Sequence, residues 1–249
     1  MPVATPLRID MFSGPRNIST TMMRAFENRD DCAVVDEPFY ASYLRRSGAR
    51  HPAREETLAA QPQDAAGVLR WLKQPAAEFG KPGAAYLFCK HIAYHLDARF
   101  PLDWLLGGRT FLLIRDPARM IQSYAAKSDA VAPVADSFRI SRSIFEYLER
   151  AGRPCPVVDA ADVLADPEGL LLRLCAALDI PYSARMLSWP AGTRPSDGPW
   201  APHWYDAVRA STGFRQSVEN PVELTGELAE FAERLRPDYA FLRERRLSA

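Results

Sequence analysis

The segment Ser13-Gly14-Pro15-Arg16-Asn17-Ile18-Ser19-Thr20-Thr21 crowds a guanidinium and several hydroxyls between an apolar run and the helical pattern Met22-Met23-Arg24-Ala25-Phe26. A helix that starts here directs unpaired backbone N–H groups at whatever precedes it, and an anion placed there gains several hydrogen bonds at once. Arg16, Ser19, Thr20 and Thr21 add side-chain donors. The plain alternative makes Ser19 a helix cap and Arg16 a solvated side chain, and the density of donors weighs against it. Tested against the phosphate-loop pattern GxxxxGK[ST], Gly14 and Thr21 match, while Ser19 and Thr20 stand where Gly and Lys belong. An ordinary ATPase or GTPase is disfavoured.

A second group is Arg115-Asp116-Pro117 with Ser123 further on. Pro117 suits the first position of a helix and Asp116 its cap. An arginine before that helix and a hydroxyl on it can grip a dianionic phosphate, because guanidinium offers paired donors; the alternative is a local Arg115–Asp116 capping pair. Proton transfer has two candidate bases. Cys89-Lys90-His91 sets an imidazole beside a cation, and Asp36-Glu37-Pro38 sets a carboxylate at a strand exit. The competing readings are a solvated Lys–His pair and an acidic helix cap. His95 would share a helical face with His91 if a helix starts there.

The elements that position these groups alternate. Short apolar runs at 7–12, 33–35, 85–89, 110–114 and 156–158 read as buried strands, and helical periodicity occupies 19–28, 65–71, 117–126, 136–150, 167–178 and 223–236. Strand and helix in alternation predict an α/β fold with a parallel sheet, whose ligand lies beyond the carboxyl ends of the strands. The Pro-bearing stretches 50–63 and 189–202 read as loops. His51 in the first is a candidate acceptor-site lid residue. Trp204 in the aromatic stretch beyond the second reads as core.

The loop Pro15-Arg16 with Ser19-Thr20 resembles the 5′-phosphosulfate loop of the sulfotransferase superfamily, of the form Pro-Lys/Arg-Ser-Gly-Ser/Thr-Thr. Arg115, Pro117 and Ser123 match that family's Arg-x-Pro-x5-Ser element. The run Ser-Gly-Pro-Arg-Asn-Ile-Ser-Thr, with Asp36-Glu37-Pro38, is similar to a bacterial and plant branch of sulfotransferase-like proteins. The resemblance implies a P-loop NTPase-like three-layer fold around a mainly parallel sheet of about five strands. It implies that 3′-phosphoadenosine 5′-phosphosulfate is the donor, adenosine 3′,5′-bisphosphate the product and a small-molecule hydroxyl or amine the acceptor, with no metal.

By the same resemblance Pro15, Arg16, Asn17, Ile18, Ser19, Thr20 and Thr21 bind the 5′-phosphosulfate, and Arg115 and Ser123 bind the 3′-phosphate. Ser211, Thr212, Gly213 and Arg215 correspond to a loop that covers the nucleotide. His91 is the implied base, Glu37 its rival, and Lys90 and Arg16 the cations at the transferred group. Three departures stand out: Asn17 for Ser, Ile18 for Gly, and Lys90 adjacent to His91 where the family spaces them by one residue.

The 249 residues suit one domain spanning 1–249. Zero formal net charge gives no overall basic field for nucleic acid or an anionic membrane, and no apolar run approaches the ~18 residues of a membrane span. Cys32, Cys89, Cys155 and Cys175 lack metal-finger or CxxC spacing and read as reduced, which with the missing leader pattern predicts the cytoplasm. Oligomeric state is not encoded in any of these features. Two rivals share the donor loop: a P-loop kinase of a small metabolite, and a nucleotide-binding protein without turnover. A pyridoxal-phosphate aminotransferase is disfavoured, since no Schiff-base context is visible.

Overall fold

The computed structural model describes residues 5–97, 100–126, 131–215 and 222–247. In chain order, strand β1 (Leu7–Ser13) leads into helix α1 (Ser19–Glu27), β2 (Cys32–Asp36), and helices α2 (Tyr40–Ser47), α3 (Arg54–Ala60) and α4 (Ala65–Trp71). Then come β3 (Tyr86–Ile92), β4 (Arg109–Ile114), α5 (Pro117–Ala125), α6 (Ala132–Arg150), β5 (Val157–Asp159), α7 (Ala160–Ala165) and α8 (Pro167–Ala177). Two short helices, α9 (Ala201–Trp204) and α10 (Asp206–Arg209), precede the long α11 (Gly226–Arg243).

The strands pair in the order β2-β3-β1-β4-β5, and every pairing is parallel. All five were expected within a few residues. Their near-continuous apolar content follows from burial on both faces. Side chains alternate across the sheet: Ile9, Met11, Phe88 and Phe111 join one core with α1 and α8, while Phe12, Leu87, Cys89 and Leu112 join the other with α4, α6 and α11. Because β1 lies between β3 and β4, the loops after β1, β3 and β4 emerge side by side at one edge.

The helices depart further from expectation. The Pro-bearing stretch 50–63 contains α3, and α2 and α7 carry no sequence periodicity strong enough to announce them in so few residues. Helix α6 begins at Ala132 because Pro133 is tolerated in the first turn. Helix α11 continues through Pro237 to Arg243, where buried Leu242 and the Tyr239 hydroxyl, 2.7 Å from Asp159, reward continuation. Among the described residues no helix is long and apolar enough to cross a membrane. The four cysteines are free, and three are buried, as expected.

Candidate active site

The loop after β1 is wound tightly. Arg16 and Ile18 both take left-handed backbone conformations, φ 59° and 44°, which a β-branched residue adopts only at a cost of about 1–3 kcal/mol. That is where the resembling family places glycine. The strain is held from two sides: the Asn17 side chain donates to the Leu113 carbonyl on β4 at 2.6 Å, and the Ile18 side chain packs against the core beneath α1. Asn17 is thus an anchor through its side-chain amide nitrogen. Ile18 occupies the cap position of α1 and supplies no side-chain hydrogen bond to it. Ser19 begins the helix rather than capping it, so the opening N–H groups of α1 stay available to an anion at the cavity.

Arg16 and Arg115 meet. The Arg115 guanidinium donates through Nη1 to the Arg16 carbonyl at 3.0 Å, while Arg16 donates from Nε to Ser123 Oγ at 3.1 Å and from Nη1 to the Trp204 carbonyl at 3.3 Å. Asp116 meanwhile caps α5 by accepting from the Ala118 and Arg119 N–H groups at 2.9 and 3.3 Å. The local capping role and the reach of Arg115 across to the β1 loop therefore coexist. Burial lowers the Arg16 pKa, with Asp206 opposing. These groups line a cavity of about 330 Å³, within the range of small-molecule sites. Its wall includes Tyr124 and Trp204, parallel to within 2° with ring centroids 6.4 Å apart. Trp204, expected as core, thus faces the cavity while also packing against Tyr205's cluster.

At the other end of the cavity stands a buried charge cluster. Lys90 donates to Asp36 Oδ1 at 2.8 Å, Glu37 Oε1 at 2.6 Å and the Tyr205 hydroxyl at 2.6 Å. Tyr205 in turn donates to Asp36 Oδ2 at 2.6 Å and accepts from Trp200 Nε1 at 3.1 Å. Two carboxylates share one ammonium. Burial, offset in part by Lys90 and reinforced by Asp36, pushes Glu37 up to about 7, the value that suits a general base near neutrality. Burial pulls Lys90 down, but Asp36 and Glu37 outweigh it and hold the ammonium charged. Glu37 also has positive φ, 45°, so three of the strained residues cluster around one cavity.

His91 is not in this group. Strand β3 continues through Ile92, so strand alternation sends Lys90 and His91 to opposite faces. His91 lies 2.9 Å from Asp10 Oδ1 and stacks on Phe12, with ring centroids 4.4 Å apart. The expectation that it reaches the transferred group is corrected on that geometry. Lys90 does face the cavity, but its donors are engaged by the carboxylates and Tyr205. Of the 211–215 loop, Ser211, Gly213 and Arg215 line the cavity, while Thr212 is not among the lining residues and uses its carbonyl to hold the Trp189 N–H at 3.1 Å. His51 stands behind Tyr40, whose hydroxyl is 2.8 Å from Nδ1, and does not line the cavity.

A model of the sulfotransferase domain matches residues 7–229. The chain belongs to the sulfotransferase family. The family's members are transferases, and the likeness extends to the fold. The sulfotransferase domain from the curacin biosynthetic pathway superposes with a TM-score of 0.62 at 15% identity, covering 95% of this chain and 98% of that one. The sulfotransferase domain of the Synechococcus PCC 7002 olefin synthase gives 0.53 at 17% identity, covering 95% and 97%. A sulfotransferase from Alicyclobacillus acidocaldarius gives 0.53 at 13%, covering 97% and 96%. Among curated proteins, the chain is 35% identical over 240 residues to the branched-chain-amino-acid aminotransferase-like protein 2 of Arabidopsis thaliana, and equally to its protein 1. Those matches cover 94% and 97% of this chain but only 41% and 42% of the plant proteins.

Within the sulfotransferase frame, an anionic group fits the residues present: an uncapped helix start with Arg16, Arg115 and Ser123 gathered beside it. A metal centre has one geometric candidate among the described residues, Asp10 with Cys89 and His91. Arg8 Nε already engages Asp10 at 2.7 Å, and burial raises the Cys89 thiol well above its ordinary value. That cluster reads as a buried ion pair beneath the site. Sequence reasoning missed Tyr40, Tyr94 and Tyr124 as cavity residues, and placed Tyr205 only within an aromatic stretch that stacks on a nucleotide or fills core. Tyr205 is 115 positions from Lys90, and no local pattern signals such a contact.

Proposed function

We propose that the protein transfers a sulfuryl group from 3′-phosphoadenosine 5′-phosphosulfate to a hydroxyl or amine of a small molecule. The observation that carries this reading is the convergence of Arg16, Arg115 and Ser123 at the uncapped start of α1, in one cavity with Glu37. The α1 N–H groups, Ser19 and Thr20 receive the 5′-phosphosulfate, Arg115 and Ser123 the 3′-phosphate, and Tyr124 with Trp204 the adenine face. Glu37 takes the acceptor proton. As the acceptor-to-sulfur bond forms, the bond from sulfur to the 5′-phosphate oxygen breaks, and its electron pair leaves on adenosine 3′,5′-bisphosphate. Arg16 and the helix start neutralise that developing charge. Lys90 holds the Glu37 carboxylate in place.

The same reading takes residues 1–249 as one catalytic domain, supported by a single sheet on which the described helices pack, and places it in the cytoplasm with no metal and no nucleic-acid or membrane partner. A nucleotide-binding protein without turnover is the second reading, favoured by the Ile18 strain and by a Lys90 whose donors are already engaged. Incubation with sulfur-35-labelled donor and a panel of alcohols, phenols and amines separates the two. Labelled product appears under the first reading, whereas donor binding without product in any acceptor or cell extract supports the second. Binding of adenosine 3′,5′-bisphosphate needs no magnesium; a protein that binds only ATP, and only with magnesium, is a kinase instead.

A further inference from the structure

Glu37 borders two spaces. It lines both the main cavity and a narrow cleft whose lining also includes His95 and His91. His95 ends the short turn Ala93–His95 that follows β3 and is 2% exposed. Its ring stacks on Tyr40, 4.4 Å away and 8° from parallel, and also packs against Tyr43 at 5.0 Å and, T-shaped, against Tyr94 at 4.6 Å. Stacking on Tyr40 sets the plane of the imidazole. Neither ring nitrogen has a hydrogen-bond partner. A phenyl ring would fill this slot without burying two unsatisfied polar atoms. The nearest carboxylate oxygen is Glu37 Oε2, 3.7 Å from Nδ1, while Lys90 holds Oε1 at 2.6 Å.

We infer that His95 is a positioning residue for Glu37, donating a hydrogen bond from Nδ1 to Oε2 when the carboxylate ionises. Closing 3.7 Å to hydrogen-bond length needs a shift of about half an ångström or more. Burial first, then His51, Lys90, Arg46 and His91, holds His95 well below the ordinary imidazole value. The ring is therefore neutral and carries one N–H. Lys90 and Asp36 face Glu37 from the sheet and Tyr205 from the segment after α9. Lys90 is committed to Oε1, and His95 Nδ1 faces the second oxygen at 3.7 Å. A donor to the ionised form favours ionisation. His95 accordingly keeps Glu37 a base at a lower pH than burial alone would allow, and it aligns the carboxylate before the acceptor arrives.

This inference rests on Glu37 being the base, and the test keeps the two apart. The variant His95→Phe preserves the stack and removes the donor, while His95→Asn returns an N–H near the Nδ1 position. The acid limb of the kcat profile in His95→Phe moves up by about one pH unit, which slows turnover about tenfold on that limb, with KM for the donor unchanged and the shift reversed in His95→Asn. An acid limb that stays in place in folded His95→Phe overturns the inference. Nitrogen-15 NMR of the wild-type chain, which has four histidines, supplies a readout without turnover. The His95 Nδ1 resonance is protonated and follows a titration near pH 7 that Glu37→Gln abolishes. A His95 resonance indifferent to Glu37→Gln overturns the inference. Turnover that survives Glu37→Gln instead removes Glu37 as base, whatever the NMR shows.

Discussion

At the scale of single residues the proposed chemistry rests on Glu37, and its behaviour follows from a count of charges. Two carboxylates and one ammonium are buried together, so one proton too many or too few decides the state of the cluster. With Glu37 raised to about 7, the base is protonated and idle below that pH and free above it. Turnover therefore falls tenfold per pH unit below about pH 7, read as a limb of unit slope in log kcat. Glu37→Gln keeps the contacts of the cluster while removing the base, and lowers kcat about 100- to 10,000-fold with affinity for adenosine 3′,5′-bisphosphate retained; an unchanged rate removes Glu37 from the mechanism. Ile18 offers a test of strain. Ile18→Ala loses packing but stays left-handed, whereas Ile18→Gly loses packing and sheds the strain. The glycine variant is then the more stable of the two by about 1 kcal/mol, by urea unfolding, the reverse of the usual order.

Elements explain what the residue types alone did not. The strand exits were legible because each combines a short apolar run with a turn or cap signal. Gly14-Pro15, Asp36-Glu37-Pro38 and Asp116-Pro117 all mark real boundaries. The end of β3 was not legible, because Lys90 and His91 look like a polar exit while in fact they continue the strand. Their burial is satisfied by Asp36, Glu37 and Tyr205 for one and by Asp10 for the other, partners contributed by other strands and by the chain after α9. Reading the strand three residues longer, to Ile92, is what moves His91 to the opposite face and leaves Glu37 as the proposed base. One phenol gathers the buried polar contacts of the segment around α9: Tyr205 bonds Lys90, Asp36 and Trp200 at once. Tyr205→Phe strands those buried groups and costs about 1–3 kcal/mol, seen as a lower urea midpoint with an unchanged slope.

The whole molecule supplies the one relation that a linear reading could only anticipate. Two arginines 99 positions apart become neighbours because the sheet places β1 beside β4, and strand order is set by crossover packing that no local pattern encodes. The matches to each motif were visible in the residues; their convergence was not. The most direct test of the account is calorimetric titration of wild type and Arg115→Ala with adenosine 3′,5′-bisphosphate and with adenosine 5′-monophosphate. Loss of the half-buried guanidinium should weaken the bisphosphate at least tenfold, an effect of about 1.4 kcal/mol or more, and leave the monophosphate nearly unaffected. Equal losses for the two nucleotides would contradict the assignment of Arg115 to a 3′-phosphate and, with it, the donor on which the proposed reaction depends.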